Sequence, residues 1–165
     1  MSQPFESLPT TPRSGELIDQ AFSRAARAGR AKSGTDAQQS MLLTAANVVS
    51  DNLENVVTAW PDFDRLDPFY YGLADAIVDA DELRQHLNEL GWASSKATDI
   101  RHEYEPRLSG DVDTARKFRK QAFARIADVV EEIDEDLLAV ADAREQLRDL
   151  PDIRPDEPTI VVAGY

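Results

Sequence analysis

One stretch of the sequence constrains the fold more than any other, because apolar residues recur at helical spacing from Val112 to Leu150. Residues three or four positions apart lie on the same side of a helix, so this spacing produces a continuous apolar stripe. The stripe consists of Phe118, Ala122, Ile126, Val129, Ile133, Leu137, Val140 and Leu147. At 1.5 Å per residue, a helix over the whole range would measure about 60 Å. The pattern therefore predicts one very long C-terminal helix.

Further helices must pack beside it, because one short neighbour cannot bury so long a stripe. The same periodicity predicts helices over 15–28, 36–59 and 81–104. Asp67 followed by Pro68 is typical of an N-cap and a first helical residue, which predicts a short helix that ends near 77. The predicted fold class is all-α: an elongated helical bundle in which 36–59 and 81–109 pack along the C-terminal helix.

The two ends of the sequence differ from this helical pattern. Residues 1–13 contain three prolines and few apolar side chains, so we expect a flexible segment there, followed by Ser14 as the cap of the first helix. After residue 150, three prolines predict a stiff linker, and the β-branched run Thr159–Ala163 predicts a strand that has no partner in this sequence. The expected domains are a helical domain over 14–150 and, over 151–165, a linker with the first strand of an absent domain.

The chain is strongly acidic, with 31 Asp and Glu residues against 18 Lys and Arg residues and a net charge of −13. Such a surface is typical of proteins in a salty cytoplasm, where salt screens the repulsion between carboxylates. An acidic protein that binds basic partners is the alternative. The sequence has no cysteine, no apolar run that could cross a membrane and no export signal. We therefore expect a cytoplasmic protein without a membrane association.

Two motifs resemble one protein family. The segment Trp60–Leu73, with the sequence WPDFDRLDPFYYGL, resembles a signature in the N-terminal helical domain of the nucleolar GTP-binding protein (NOG) family, which are Obg-related GTPases of eukaryotes and archaea. The end of the chain, Leu150–Pro155 followed by Thr159–Tyr165, is similar to that family's junction into its GTPase domain. The resemblance implies a helical module of a GTPase that assists assembly of the large ribosomal subunit, and the acidic composition favours an archaeal, salt-adapted member.

The same resemblance implies a phosphate-binding loop directly after the end of this chain. Such a loop needs spaced glycines, a lysine that reaches the β- and γ-phosphates, and a Ser or Thr for magnesium. Only its first glycine, Gly164, is present, so the nucleotide site is incomplete and the chain is expected to be truncated before it. We expect no catalytic residue and no cofactor in this chain. GTP and magnesium are implied for the full-length parent.

One island of positive charge interrupts the acidic sequence, since residues 115–125 carry five cations and no acid. They are Arg116, Lys117, Arg119, Lys120 and Arg125. On a helix, Arg116, Lys117 and Lys120 lie opposite the apolar stripe, where they can face phosphates together, while the other two flank the stripe. With the resemblance, the island is a candidate contact with ribosomal RNA. The alternative is a solvated helix face whose cations pair with Asp111, Asp113 or Asp128.

Other polar and aromatic groups have structural interpretations. A second basic group complements the dipole at the end of the first helix: Arg24, Arg27, Arg30 and Lys32. Aromatic residues around a proline-bounded turn more often close a corner of the core than stack on bases. They are Trp60, Phe63, Phe69, Tyr70 and Tyr71.

No metal site is expected. His86 and His102 lack metal-ligand spacing, and we expect both on solvated helix faces. A carboxylate group, Glu131, Glu132, Glu135 and Asp136, lacks the Glu-x-x-His motifs of di-metal helical bundles.

Two functional hypotheses follow. The first is a docking module for the precursor of the large ribosomal subunit, with ribosomal RNA and precursor proteins as partners. The second is a stand-alone helical adaptor that binds another protein through its long amphipathic helix and has no connection to nucleotides. A continuation of the gene with Pro-Asn-Val-Gly-Lys-Ser would favour the first hypothesis.

Overall fold

The computed structural model describes residues 4–150, and every regular element in this range is helical. The α-helices are α1 (Ser14–Arg30), α2 (Gly34–Ala59), α3 (Pro68–Ile77), α4 (Ala80–Tyr104), α5 (Val112–Glu132) and α6 (Asp134–Leu147). A short 3-10 helix, Glu105–Leu108, follows α4. The all-α prediction is confirmed for these residues. The predicted strand at Thr159–Ala163 and the glycine at 164 lie outside the described residues.

The prediction of one very long C-terminal helix is wrong, because α5 ends at Glu132 and α6 begins at Asp134. Between them Ile133 has φ −99° and ψ 17°, and its N–H donates to the carbonyl of Val130 at 3.3 Å, a tighter turn than an α-helix makes. The break is favourable electrostatically. It places the acids of residues 134–136 in the first turn of a helix, where they complement the dipole.

The central helix of the bundle is α2, which packs against α1, α4 and α5. The next helix, α4, packs against α2 and runs beside both α5 and α6. The expected packing along the C-terminal stripe is therefore observed for α4 over both α5 and α6, and for α2 over α5. None of the helices within residues 4–150 is both long enough and apolar enough to cross a membrane.

The N-terminal segment differs from the flexible segment that the sequence led us to expect. Phe5 is fully buried, with ring centroids 6.1 Å from Trp60 and 6.3 Å from Phe63. Leu8 is also buried, and its carbonyl accepts a hydrogen bond from Arg144 Nε at 3.0 Å. These contacts join distant parts of the chain, so helical periodicity does not reveal them. Residues 4–13 thereby fasten the C-terminal half of α6 to the aromatic turn.

The two predicted helix caps have different outcomes. Asp67 accepts a hydrogen bond from the N–H of Phe69 at 2.8 Å, which confirms the cap of α3. The prediction for Ser14 is wrong, because Ser14 is the first residue of α1 and its hydroxyl donates to Asp134 Oδ1 at 2.5 Å. Ser14 therefore joins the start of α1 to the start of α6.

The aromatic turn belongs to the core, as the sequence indicates. Trp60, Phe63 and Tyr70 are buried, and Phe63 lies edge-on to Tyr71 with centroids 6.3 Å apart. Phe69 is the exception, with 39% of its surface exposed.

A candidate nucleic-acid interface

The basic island lies on α5, whose opposite sides have contrasting roles. Its inner side is buried through Ala115, Ala122, Ile126, Val129 and Val130. Asp111 caps the helix by accepting the N–H of Thr114 at 3.0 Å. The outer side carries three exposed cations, Arg116, Lys117 and Lys120. This is the side on which their helical spacing predicted them.

Only part of this outer side is neutralised by local carboxylates. Arg116 pairs with Asp113 at 3.0 Å, as the alternative interpretation of the island predicted. Within residues 4–150, neither Lys117 nor Lys120 has a carboxylate within ion-pair distance. Two lysines, one helical turn apart, are therefore available to a partner.

Arg119 has a structural role between helices. Its Nε donates to Gln38 Oε1 of α2 at 2.9 Å, and its guanidinium lies 4.9 Å from the ring centroid of Phe123. Phe123 in turn stacks on Phe22 of α1, with parallel rings 4.6 Å apart. Burial, and then the nearby charge of Arg116, lower the pKa of Arg119, although an arginine remains a cation at neutral pH. Arg119 therefore links α5 to α2 directly and to α1 through Phe123, and it is partly buried, whereas the lysines are exposed.

Arg125 is also committed to the protein. It pairs with Glu103 of α4, and its guanidinium lies 5.5 Å from the ring centroid of Tyr104. Hydrogen bonds to Tyr104 and then to Glu103 raise the pKa of Arg125. Of the five cations in the island, Arg119 and Arg125 thus position the helix, and the other three form its outer surface.

One exposed cation that contacts α5 was missed by the sequence analysis. Arg107, in the 3-10 helix, lies with its guanidinium 5.1 Å from the centroid of Tyr104 and 5.6 Å from that of Phe118 on α5. In the described part of the chain it has no carboxylate within ion-pair distance, and it is exposed. Because Arg107 precedes the island by several residues and a turn, no helical pattern connects the two. The three exposed cations on the outer side of α5, Arg116, Lys117 and Lys120, are called the cationic face below.

The remaining candidates lie elsewhere. Arg27 and Arg30 are in the last turn of α1, where they complement the helix dipole. The prediction of a solvated face is wrong for His86. Its Nδ1 lies 2.6 Å from Asp136 Oδ1 of α6, and the two side chains are 31% and 18% exposed. His102 is 60% exposed. Residues 4–150 contain no group of three or more His, Cys, Asp or Glu side chains arranged to hold a metal ion.

Comparisons with known proteins agree on one family. A family model described as the NOG1 N-terminal helical domain matches residues 5–154. The chain is 29% identical over 175 residues to an uncharacterized protein of Methanocaldococcus jannaschii, covering 99% of this chain and 50% of that protein. It is 26% identical over 117 residues to nucleolar GTP-binding protein 1 of Drosophila melanogaster, covering 70% of this chain and 18% of that protein.

The alignment with a third relative extends over the whole chain. Nucleolar GTP-binding protein 1 of Eremothecium gossypii is 18% identical over 179 residues, which cover 100% of this chain and 27% of that protein. The chain thus spans half or less of the length of these relatives.

Proposed function

Because this chain belongs to the family of NOG1 N-terminal helical domains, we propose that it is the helical docking module of a NOG/Obg-like GTP-binding protein in large ribosomal subunit assembly. In this proposal the cationic face contacts ribosomal RNA. GTP and magnesium belong to the longer parent protein, whose relatives are named GTP-binding proteins.

The observation that supports RNA contact is the pair of unneutralised lysines. The chain has 31 acidic residues against 18 basic ones, yet residues 115–125 contain five basic residues and no acidic one. Within this stretch Lys117 and Lys120 have no carboxylate partner among the described residues, although Arg116 beside them does. Cations that lack an internal partner can release counterions from an RNA backbone, which is the main source of affinity in such contacts.

Helix α5 holds these lysines in a fixed place. Arg119 ties it to α2, and Arg125 ties it to α4. A rigid helix loses little conformational freedom on binding, so two or three phosphate contacts contribute more than they would from a loop. The net charge of −13 repels RNA at long range. Salt screens this repulsion beyond a Debye length of about 8–10 Å, and that length becomes shorter as the salt concentration rises.

The chain offers a matched test, since its four lysines divide into two on the face and two elsewhere. The variant Lys117→Glu/Lys120→Glu removes the pair, and Lys32→Glu/Lys96→Glu changes the net charge equally. We expect the first variant to bind large-subunit ribosomal RNA about tenfold more weakly in filter binding. The slope of log affinity against log salt should fall by about 1.5, at 0.7 to 0.9 for each phosphate contact.

The control decides the interpretation. Equal weakening in both variants would show a general effect of net charge. Unchanged affinity in the first variant would exclude the cationic face as an RNA contact.

A further inference from the structure

Helix α3 has an apolar outer side. Phe69 and Ile77 are 39% and 37% exposed, Ala76 is exposed, and Leu73 is half-buried. At 3.6 residues per turn, these four positions lie within about 100° of one another around the helix, so they form one continuous surface. We call Phe69, Leu73, Ala76 and Ile77 the α3 face.

The inner side of α3 is apolar as well. Tyr70 and Ala74 are buried there. The helix has one charged residue, Asp75, whose Oδ1 already accepts the N–H of Ala80 at 3.1 Å. A helix at the surface of a bundle normally has polar residues on its outer side, and a helix that is apolar on both sides is typical of one that is covered on both.

The C-terminal end of the described chain lies on the same side of the bundle as α3. Among the described helices, α3 packs against α4 and α6. The C-terminal half of α6 is joined through Arg144 and the N-terminal segment to the aromatic turn, which Tyr71 of α3 also contacts. Leu150, three residues after α6, still packs against the core. The chain beyond it therefore starts close to α3.

The sequence beyond Leu150 contains a segment that fits the α3 face. Residues 159–163 include Ile160 and Val162 and no charged side chain. In an extended segment, alternate side chains lie on one side about 6.6 Å apart, and four residues of a helix advance by about 6 Å, so the two spacings match. The intervening residues 151–158 can span about 26–29 Å, whereas α3 is about 15 Å long.

We propose that residues 159–163 pack on the α3 face, with Ile160 and Val162 against Phe69, Leu73 and Ile77. The contact gives the β-branched run an apolar surface within this chain. A segment tethered by a short linker has an effective concentration on the order of millimolar, so few contacts suffice to hold it. A second copy of the chain is the less favourable occupant, because each copy carries a net charge of −13 and the two repel each other.

The absence of cysteine from the chain allows a direct test by disulfide formation. In the whole chain, Ala76→Cys/Val162→Cys should form a disulfide within one molecule about tenfold faster than Ala124→Cys/Val162→Cys, since Ala124 is an exposed residue of α5. Non-reducing electrophoresis measures both rates. Equal rates in the two variants, or a disulfide that joins two copies of Ala76→Cys/Val162→Cys, would overturn the proposal.

A thermal cycle tests the same contact without cross-linking. Ile160→Ser/Val162→Ser should lower the melting temperature by about 2–4 °C. In a chain that already carries Phe69→Ser/Ile77→Ser, the same pair should lower it by less than about 1 °C, because residues in contact are not additive. The control background is Leu43→Ser/Trp92→Ser, at positions that are 41% and 40% exposed on other helices. There the full decrease should persist.

The thermal results also decide against the proposal if they differ from this pattern. An equal decrease in all three backgrounds, or no decrease in the original chain, would show that residues 159–163 do not lie on α3. RNA binding through the cationic face should be unchanged in Ile160→Ser/Val162→Ser, so the two proposals stand or fall separately.

Discussion

Helices α5 and α6 share one apolar stripe, yet the charges on the outer side of α5 and two charged side chains of α6 have different roles. On α5 the cations of the outer side face solvent, and Lys117 and Lys120 have no carboxylate partner in the described range. On α6 two charged side chains bind other parts of the fold: Asp136 pairs with His86, and Arg144 donates to the carbonyl of Leu8. The break at Ile133 separates these two uses.

The difference indicates which helix supports recognition and which supports the fold. Charges that are satisfied internally contribute to tertiary structure and lose their capacity to bind a partner. Free charges on a rigidly held helix keep that capacity and add little to stability. Substitutions on α6 should therefore change the free energy of unfolding, and substitutions on the outer side of α5 should change binding.

The largest expected effect is on the buried stripe of α6. Leu137 is 1% exposed, and its neighbour Leu138 is 46% exposed. Leu137→Ala should destabilise the protein by about 2–5 kcal/mol because it leaves a cavity in the core. Leu138→Ala should change stability by less than about 0.5 kcal/mol. Urea denaturation of both variants checks this, and equal losses would contradict the assignment of inner and outer sides.

A smaller effect is expected at the contact between α4 and α6. Asp136→Asn should destabilise the protein by about 1 kcal/mol, because a half-buried carboxylate bound to His86 loses its charge. Glu135→Gln removes a charge from the same first turn of α6 without such a partner, so it controls for the helix dipole. Thermal unfolding at neutral pH measures the difference. If the two variants are equally stable, the His86 contact adds nothing.

Much of this fold could be predicted from the sequence because α1 to α4 have strong local signals. The periodicity places their ends within two residues of those observed, and Asp67 with Pro68 marks the start of α3. The break at Ile133 could not be predicted from periodicity, since the apolar stripe continues through it to Leu137. A one-residue change of backbone conformation leaves a pattern of apolar spacing almost unaltered.

The candidate site shows the same limit. The helical spacing of the sequence placed Arg116, Lys117 and Lys120 correctly on the outer side of α5. It could not show that Arg119 reaches Gln38 or that Arg107 packs on Phe118, because both contacts depend on tertiary structure. The local sequence pattern therefore identifies which cations lie on the outer side of the helix. Only the tertiary structure shows which cations already contact other side chains of the protein.

The smallest expected effect comes from a comparison of paired and unpaired cations within α5. Arg116 differs from the two lysines in having a partner, Asp113, whose side chain is 88% exposed. Asp113→Asn should free Arg116 and strengthen binding to ribosomal RNA about two- to threefold, while stability changes by less than about 0.5 kcal/mol because exposed ion pairs contribute little. Asp128→Asn, an exposed acid of the same helix, makes the same change of net charge without freeing a cation of the cationic face. If Asp128→Asn strengthens RNA binding equally, the affinity depends on net charge alone. A gain confined to Asp113→Asn would show that pairing within the chain limits how many cations α5 offers to RNA.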